Sequence, residues 1–442
     1  MNYKQFLHCL LTITILLCTL TNVRAQETDA PDTNPPGENV ILQWNRVLTE
    51  TIRTPGAHPS ATIFPVRSYA MMHAAMFDAV NSIDGTYTPY LTDVPGTKNA
   101  SQEAAAAQAA HDVLVGLYPT RQAIFDAELA ASLTGIRWNR TEQGIRVGRI
   151  VAEAMLAARA NDGWTVTPPP YVLPTTPGNW QPVPPANVAA RFTHYPGVLP
   201  FAVMSNTQFG PPPPPALTSA QYTADFNEVK AIGAVNSTTR TEEQTLIARL
   251  WYDSLITPIT IFLTWNNVAR DLAVSRNNTT VENARLFALF HVAVHDTLLT
   301  TFSSKFQYGL WRPVTAVRRA DEDGNPNTEP DANWTPLLVA PPYPAYAGNQ
   351  AAVAMAHATI FTLFFGRDDI AFQHTWENRA PGSPGWTRSY TSFTAMAQEA
   401  AESRIYGGIH YRFDNTAGQA TGRNVANYVF LNFMKPRDCI FR

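Results

Sequence analysis

The stretch Ser403–Asp414 brings together three side chains that can do chemistry, namely Arg404, His410 and Asp414. Two glycines, at positions 407 and 408, separate the arginine from the histidine and favour a helix end or a turn. A second helix is predicted to start just after them and to carry His410 and Asp414, whose carboxylate could fix the imidazole tautomer. An arginine, a histidine and a helix start can hold an anion. The same residues taken alone also suit a helix–turn–helix with ordinary surface charges.

Two further cations lie upstream. Lys305 and Arg312 are seven residues apart, so they would share one face of a continuous helix, although Gly309 and Pro313 favour a bend. Residues 341–350 form a loop of small residues that opens a helix, where backbone N–H groups favour an anion. Three cations, one imidazole and such a loop suit a tetrahedral oxyanion such as phosphate or vanadate.

The elements that must position these residues are helices. Apolar residues recur at three- and four-residue steps over most of the chain, and strand-like alternation is rare, which predicts an all-α fold of packed helical bundles. The two halves show no obvious sequence repeat. Capping boxes predict helix starts at Thr218, Thr241 and Thr279. The predicted helices are 40–54, 66–82, 101–117, 121–133, 142–160, 218–232, 242–253, 258–275, 280–304, 350–365, 389–404 and 409–433.

Composition shifts divide the chain into five parts. Residues 1–25 have the short apolar core and the Val-Arg-Ala end of a cleaved secretory signal, and the polar, Pro-rich residues 26–38 are predicted to be disordered. A helical bundle is predicted over 39–165, a Pro-rich connector over 166–217 and a second bundle over 218–442. The chain is therefore expected to be secreted or periplasmic.

Cysteine and charge usage narrow the class of protein. Of the three cysteines, Cys9 and Cys18 lie in the signal, so the exported chain would keep Cys439 and no internal disulfide. Charged residues make up 15% of the chain and the net charge is −3, without the basic stripe that a nucleic-acid-binding protein needs. No run of about 20 apolar residues after the signal predicts a membrane span. Whether the chain forms a homo-oligomer stays open.

The ordered motifs resemble those of the vanadium-dependent haloperoxidases and type 2 phosphatidic acid phosphatases. The match consists of Lys-x6-Arg-Pro, a small-residue loop, and then Ser-Arg-x5-His-x3-Asp. It is carried by Lys305, Arg312, Pro313, Ser403, Arg404, His410 and Asp414. Further text similar to the soluble chloroperoxidase-like branch lies at 72–81, 208–229 and 311–316, so that the resemblance covers about residues 40–435. It implies two helical bundles with the site in the second.

The resemblance also implies the roles of the site residues. In the haloperoxidases the cofactor is vanadate, and the histidine bonded to vanadium falls on His410. Lys305, Arg312 and Arg404 would neutralise the vanadate oxygens, and hydrogen peroxide would oxidise a halide or a small organic substrate. In the phosphatases there is no such cofactor, and the same histidine would be the nucleophile that takes a phosphoryl group.

The middle motif departs from the family. Its Pro-Ser-Gly-His aligns with Ala347-Gly348-Asn349-Gln350, so the hydroxyl that would bond an oxyanion oxygen is absent at Gly348. Asn349 keeps its backbone N–H, but Gln350 replaces the acid–base histidine and cannot exchange a proton near pH 7. Such help is worth roughly 10²–10⁴-fold in rate. Three hypotheses follow: a haloperoxidase-like enzyme slowed by Gln350, a phosphatase-like hydrolase, and a weakly active oxyanion-binding relative.

Three other residues near the motifs are candidates for supporting roles. Asp253 resembles the family's acid that pairs with an active-site arginine. Tyr343 falls where an aromatic residue borders the halide position, although core packing explains it equally well. His357 could share a helical face with Gln350, but it would lie about 10 Å further along the helix.

Two more histidine clusters have a structural explanation. His291 and His295 have metal-ligand spacing beside Asp296, yet the sequence offers no third ligand. His73 and Asp78 belong to an N-terminal helix. We expect both clusters to be packed and hydrogen-bonded rather than to bind a metal.

Overall fold

The structure is a computed structural model that describes residues 38–54, 65–252, 260–376 and 386–437. Helices dominate these ranges, which confirms the all-α class, and the described strands form one small antiparallel hairpin. The signal, nearly all of the lead-in and Asp253 lie outside the described residues, so the predictions on them stay predictions.

The described ranges hold thirteen α-helices and two strands. Twelve of the helices follow the predicted order, whereas the short α10 and the two strands were not predicted. In the first half they are α1 (Val40–Arg53), α2 (Pro65–Asp84), α3 (Gln102–Leu117), α4 (Gln122–Ser132) and α5 (Trp138–Arg159). In the second half the elements before the loop of small residues are α6 (Ala220–Ile232), α7 (Glu242–Leu250), α8 (Thr260–Ser275), α9 (Thr280–Tyr308) and α10 (Pro313–Arg318). They are followed by α11 (Asn349–Phe365), β1 (Phe372–Trp376), β2 (Trp386–Tyr390), α12 (Phe393–Tyr406) and α13 (Arg412–Asn432).

Local chemistry explains several of these boundaries. The capping boxes predicted at Thr241 and Thr279 are confirmed, whereas the start predicted at Thr218 is wrong because the Ser219 hydroxyl caps α6 instead. The predicted bend is also confirmed. Gly309 ends α9 with φ +59°, and Pro313 occupies the first position of α10.

Helix α9 is the central element of the fold. By length and hydropathy it could cross a membrane, but that part of it is entirely buried within the protein, as in a core helix. It packs against α2, α11 and α13. Its last turn carries Lys305 toward the loops that follow α9 and precede α11.

The described chain from residue 38 onward belongs to one compact unit, because one apolar core runs through both halves. The connector joins this unit through backbone hydrogen bonds to the second half. The Trp180 N–H donates to Gly309 O at 2.6 Å, and the Arg191 N–H donates to Pro342 O at 3.0 Å. The connector therefore lies beside the loops that carry Arg312 and Tyr343. The two-bundle boundaries stay a prediction.

The helices of the two halves repeat one arrangement, which the sequence analysis missed. Leu-x-Trp-Asn-x-Val occurs at 42–47 in α1 and again at 263–268 in α8. The equivalent Asn45 and Asn266 exchange two amide hydrogen bonds of 2.9 and 2.8 Å. In α2 and α9, His73 stacks on His291 with 4.9 Å between ring centroids. Because equivalent residues touch each other, an approximate two-fold axis passes between the halves.

The hairpin was not predicted. β1 pairs antiparallel with β2, with Phe372 opposite Tyr390 and Trp376 opposite Trp386. Strand β1 alternates exposed Gln373 with buried His374, a period-two pattern too short to stand out in the sequence.

Candidate oxyanion site

Lys305 is fully buried in the last turn of α9 and holds the loop before α11. Its ammonium donates to Pro344 O at 3.2 Å, Ala345 O at 2.7 Å and Ala347 O at 2.6 Å. An ammonium group has three N–H donors, so the loop carbonyls occupy all of them. Burial and the nearby Arg312 lower the pKa of Lys305 well below its usual value. The sequence did not reveal this structural role.

Arg312 enters the same region from the start of α10 and is also fully buried. Its Nε donates to Tyr343 O at 2.8 Å, and its Nη1 donates to Ile409 O at 2.9 Å and to His410 Nε2 at 3.0 Å. The Tyr343 ring centroid lies 5.0 Å from the guanidinium carbon. The Nη2 is buried and has no hydrogen-bond partner within the described ranges. This donor is thus available to a buried acceptor that the protein itself does not supply.

His410 lies in the turn before α13 and not on the helix, so that part of the prediction is wrong. Helix α13 starts only at Arg412, because Asp225 accepts from the Phe413 N–H at 2.7 Å and Asp414 Oδ2 accepts from the Tyr411 N–H at 3.1 Å. Asp414 still reaches His410, with 2.8 Å between Oδ2 and Nδ1. These carboxylates occupy the N–H groups of Tyr411 and Phe413, so those two donors at the helix start are not offered to an anion.

These contacts determine the tautomer of His410. An arginine can only donate, so Nε2 is the acceptor and Nδ1 carries the proton toward Asp414. Burial, then Arg312, Lys305 and Arg404, lowers the pKa of His410 well below its usual value. Burial raises the pKa of Asp414. The imidazole is therefore neutral, with its Nε2 lone pair among cations, as a metal ligand or a nucleophile requires.

Arg404 and Gln350 meet at one carbonyl group. Arg404, in the last turn of α12, donates through Nη2 to Trp251 O and through Nε to Ser403 Oγ at 3.1 Å. The Gln350 amide donates to the same Trp251 O at 3.2 Å and to Ala400 O at 3.4 Å. Gln350 thus joins the start of α11 to α12 and to the residue after α7, beside the cation.

Gly348 stands at the start of α11 and contacts the first turn of α13 closely. Its N–H donates to Asp414 O at 2.9 Å, and no side chain caps α11 there. The first N–H groups of α11, from Asn349 onward, therefore favour an anion. A Cβ atom on Gly348 would lie 2.9 Å from Asn415 Oδ1 and 3.1 Å from Asp414 O. The position of the missing hydroxyl is thus taken up by a close contact between helices.

The other histidine candidates are packed away from the site. His357 stacks on Trp265 with 5.2 Å between ring centroids, and burial lowers the pKa of His357 to about 3. His295 Nδ1 lies 3.1 Å from Asp296, which also accepts three backbone N–H groups from residues 201–203. Asp78 likewise accepts from the N–H groups of residues 90–92. Across the described ranges, no three His, Cys, Asp or Glu side chains come together in a metal-binding group.

Comparison with known proteins agrees with the motifs. The family model described as the VCPO second helical-bundle domain matches residues 285–438. Vanadium chloroperoxidase of Curvularia inaequalis is 26% identical, over 86% of this chain and 80% of that protein. The crystal structure of the first bacterial vanadium-dependent iodoperoxidase aligns with a TM-score of 0.73 and 26% identity, covering 90% of this chain and 96% of that chain. The predicted resemblance to the vanadium haloperoxidase superfamily is confirmed.

A second solved structure shares the fold of this chain. The holo-type bacterial vanadium-dependent chloroperoxidase aligns with a TM-score of 0.69 and 15% identity, covering 89% of this chain and 96% of that chain. These similarities support a haloperoxidase-like kind of protein.

The residues of the candidate site fit a buried oxyanion. His410 has an unprotonated Nε2, which accepts from Arg312 Nη1 and would exchange that contact for the oxyanion. Arg312 Nη2 has no hydrogen-bond partner among the described residues, and α11 offers uncapped N–H groups. Neither Lys305 nor Arg312 forms an ion pair with a carboxylate in the described part of the chain. Buried cations without such partners favour a bound anion, and a vanadate would meet them here.

Sequence reasoning missed three residues of this region. Asn415 lines the contact at Gly348, Asp225 caps α13, and the Trp251 carbonyl joins Arg404 to Gln350. Asn415 directly follows the last motif, which is the one signal that could have drawn attention to it. The roles of Asp225 and Trp251 depend on contacts between elements distant in sequence.

Proposed function

We propose that this chain is a haloperoxidase-like oxidoreductase that uses hydrogen peroxide to oxidise halide, or a small organic substrate, at a vanadate held by His410. The observation that carries the proposal is the state of His410. Asp414 binds its Nδ1–H, Arg312 donates to its Nε2, and a second N–H of that arginine is buried without a partner among the described residues. Similarity to vanadium chloroperoxidase and to the bacterial iodoperoxidase supports this type of chemistry.

Each side chain has a separate task in this proposal. His410 binds the vanadate, Arg312 and Arg404 neutralise its oxygens, and Lys305 adds positive charge while holding the loop at 344–347. Asp414 maintains the tautomer that leaves Nε2 free of a proton. The bound vanadate would supply Lewis-acid activation of hydrogen peroxide. The Tyr343 ring lies beside Lys305 and Arg312 and would border the halide position.

Proton transfer is the weak step. Gln350 takes the family's acid–base position, and its amide donates to Trp251 O and Ala400 O. An amide does not titrate near pH 7, so we expect turnover to be lower by roughly 10²–10⁴-fold than with a histidine there. Gln350→His is then expected to raise kcat at an unchanged vanadate affinity. An unchanged or lower kcat would show that the site depends on the glutamine contacts.

A second candidate function is oxyanion binding without appreciable turnover. The saturated ammonium of Lys305 favours it, because the lysine would have to give up loop carbonyls to polarise a ligand. Under this proposal the protein binds vanadate or phosphate at His410 but oxidises no halide.

The deciding experiment assays halide oxidation by the mature protein with vanadate, hydrogen peroxide and bromide or iodide, beside phosphate-ester hydrolysis without vanadate. We expect halide oxidation that requires vanadate and is abolished by His410→Ala. His111→Ala, which changes a half-buried histidine of the first half, is the matched control. Oxidation that survives His410→Ala would refute the proposal. Ester hydrolysis inhibited by vanadate would identify a hydrolase with His410 as nucleophile, and binding without either activity would identify the second candidate.

We also propose that the protein is exported, because its first 25 residues have the pattern of a cleaved signal. Expression with the native leader is expected to yield a secreted or periplasmic protein that begins at Gln26 by N-terminal sequencing. Retention of the leader on the purified protein would contradict this.

A further inference from the structure

Asn415 occupies the space from which the missing hydroxyl at position 348 would project. Its Oδ1 lies 2.9 Å from the place of a Cβ atom on Gly348. The side chain is 4% exposed, and Oδ1 has no hydrogen-bond partner within the described ranges. A buried amide oxygen without a partner costs free energy, so its presence at the start of α11 calls for a ligand that can donate to it.

A hydrogen bond fixes which end of this amide faces Gly348. Asn415 Nδ2 donates to Ala401 O of α12 at 2.7 Å. Turning the amide over would replace that bond by a contact between two carbonyl oxygens. Oδ1, which can only accept, therefore points toward Gly348 and the uncapped start of α11.

We infer that Asn415 is a further residue of the oxyanion site and takes over the polar role that position 348 has lost. A hydroxyl can donate or accept, whereas Asn415 Oδ1 can only accept. The site is therefore matched to an oxyanion that carries a proton, such as hydrogen vanadate or hydrogen phosphate, with its O–H directed at Asn415. This inference rests on the oxyanion site of the proposed function but does not depend on turnover.

The inference also accounts for glycine at position 348. With Asn415 present, even a single added carbon would come within 2.9 Å of Oδ1, tighter than ordinary van der Waals contact. A serine at 348 would therefore crowd Asn415, whose amide would have to shift and weaken its bond to Ala401 O. A serine at 348 is expected to fit better beside a smaller residue at 415. The two positions are coupled by shape as well as by polarity.

The experiment measures binding of inorganic phosphate and of vanadate to the mature protein by calorimetry and by the shift in melting temperature that each anion causes. The variants are Asn415→Ala, Gly348→Ser and the double variant. Asn415→Ala is expected to lower the affinity for both anions by about tenfold or more, because one buried hydrogen bond is lost. Gly348→Ser alone is expected to lower the affinity further, and the double variant is expected to bind at least tenfold more tightly than Gly348→Ser. Asn424→Ala, exposed on the same helix, is the matched control.

The outcomes separate this inference from the proposed function. Suppose that the native protein binds the anions, that His410→Ala abolishes the binding and that Asn415→Ala keeps full affinity. This result would overturn the role of Asn415 and leave the proposed function intact. Failure of the native protein to bind either anion would overturn both. Asn415→Ser, which restores a small acceptor, is expected to recover part of the affinity. If Asn415 were only a packing residue, Asn415→Ala would lower the melting temperature without changing the shift caused by phosphate.

Discussion

The two halves of the molecule share a packing frame but not a chemistry. In the first half, the Ser101 N–H at the start of α3 donates to Arg140 O, the third residue of α5, at 3.0 Å. In the second half, the Gly348 N–H at the start of α11 donates to Asp414 O, the third residue of α13, at 2.9 Å. The same backbone contact thus joins the equivalent helix pairs.

Glycines allow a close approach in both helix pairs. A Cβ atom on Gly144 or Gly148 of α5 would lie 2.7 or 2.6 Å from a carbonyl oxygen of the α3 segment. On Gly418 or Gly422 of α13 it would lie 2.2 or 1.9 Å from a carbonyl oxygen of the α11 segment. Both pairs therefore need glycine at the contact, and the second pair is packed more tightly.

The side chains around this contact differ. Four residues before Arg140 the first half has Ile136, whereas four residues before Asp414 the second half has His410. The first half keeps a serine, Ser101, as a helix cap, at the position where the second half has a glycine. The helix frame therefore serves packing in both halves, whereas the residues of the candidate oxyanion site lie in the second half.

The largest expected difference in vanadate affinity is between the His410→Ala and Ile136→Ala variants. If His410 bonds vanadate as proposed, its loss should weaken vanadate binding more than about 100-fold, because loss of a supporting partner alone costs 10–100-fold. Ile136→Ala should leave the affinity unchanged. Vanadate titration followed by ⁵¹V NMR measures the affinity of each variant. Equal losses of affinity would contradict the assignment of the site to the second half alone.

Asp414→Asn should weaken vanadate binding by about 10–100-fold, since the amide can no longer hold the Nδ1–H tautomer of His410 as a carboxylate does. The matched change in the first half, Arg140→Asn, lies at an exposed side chain and should have no effect. Titrations of the two variants side by side measure the contrast. A fully active Asp414→Asn protein would show that Arg312 alone sets the tautomer.

Gly422→Ala should lower the free energy of unfolding by about 1–3 kcal/mol, because the added methyl group overlaps Ala352 O and pushes α13 away from α11. Gly148→Ala should lower the free energy of unfolding by less, since its added methyl group would lie further from Ala105 O. Urea denaturation of both variants tests the order. Vanadate affinity should fall only in Gly422→Ala, and a similar fall in Gly148→Ala would mean that the frame of the first half also supports the site.

The smallest expected effect concerns pH. Burial lowers the pKa of His73 to about 3 and that of His291 well below its usual value, so both imidazoles are neutral in the folded protein. Unfolded histidine binds a proton near pH 6.5, so stability is lost as the pH falls below that value. Each histidine should contribute a loss of about 1 kcal/mol between pH 6.5 and 5.5. Denaturant titrations at both pH values should show a smaller loss in His73→Gln, and an unchanged loss would contradict the neutral state.

The sequence predicted the helices and the positions of the site motifs because both follow local rules. Periodicity located nearly every helix, and ordered spacing singled out Lys305, Arg312, Arg404 and His410. The contacts of Lys305 with carbonyls 40 residues away could not be predicted, because they depend on how the loop at 344–347 folds against α9. His410 lies before its predicted helix because Asp225 of α6 accepts a hydrogen bond from the Phe413 N–H and thereby favours a start of α13 at Arg412.

The internal repeat escaped notice for a different reason. The offset between equivalent residues is not constant, since loops of unequal length separate the helices of the two halves. Few residues are shared between the halves, and Leu-x-Trp-Asn-x-Val is too short to stand out as a repeat. Asn415 likewise stands out only once the start of α11 is seen beside it.

The contacts of Asn45 with Asn266 and of His73 with His291 make the face between the halves self-complementary, as in an isologous dimer. A face of this form matches a second copy of itself. Either half, if released from the other, would present a surface suited to homodimerisation, and the covalent connection replaces that association by a high local concentration of the partner. The chain thus resembles a dimer in one polypeptide, with the candidate oxyanion site in only one of its two members.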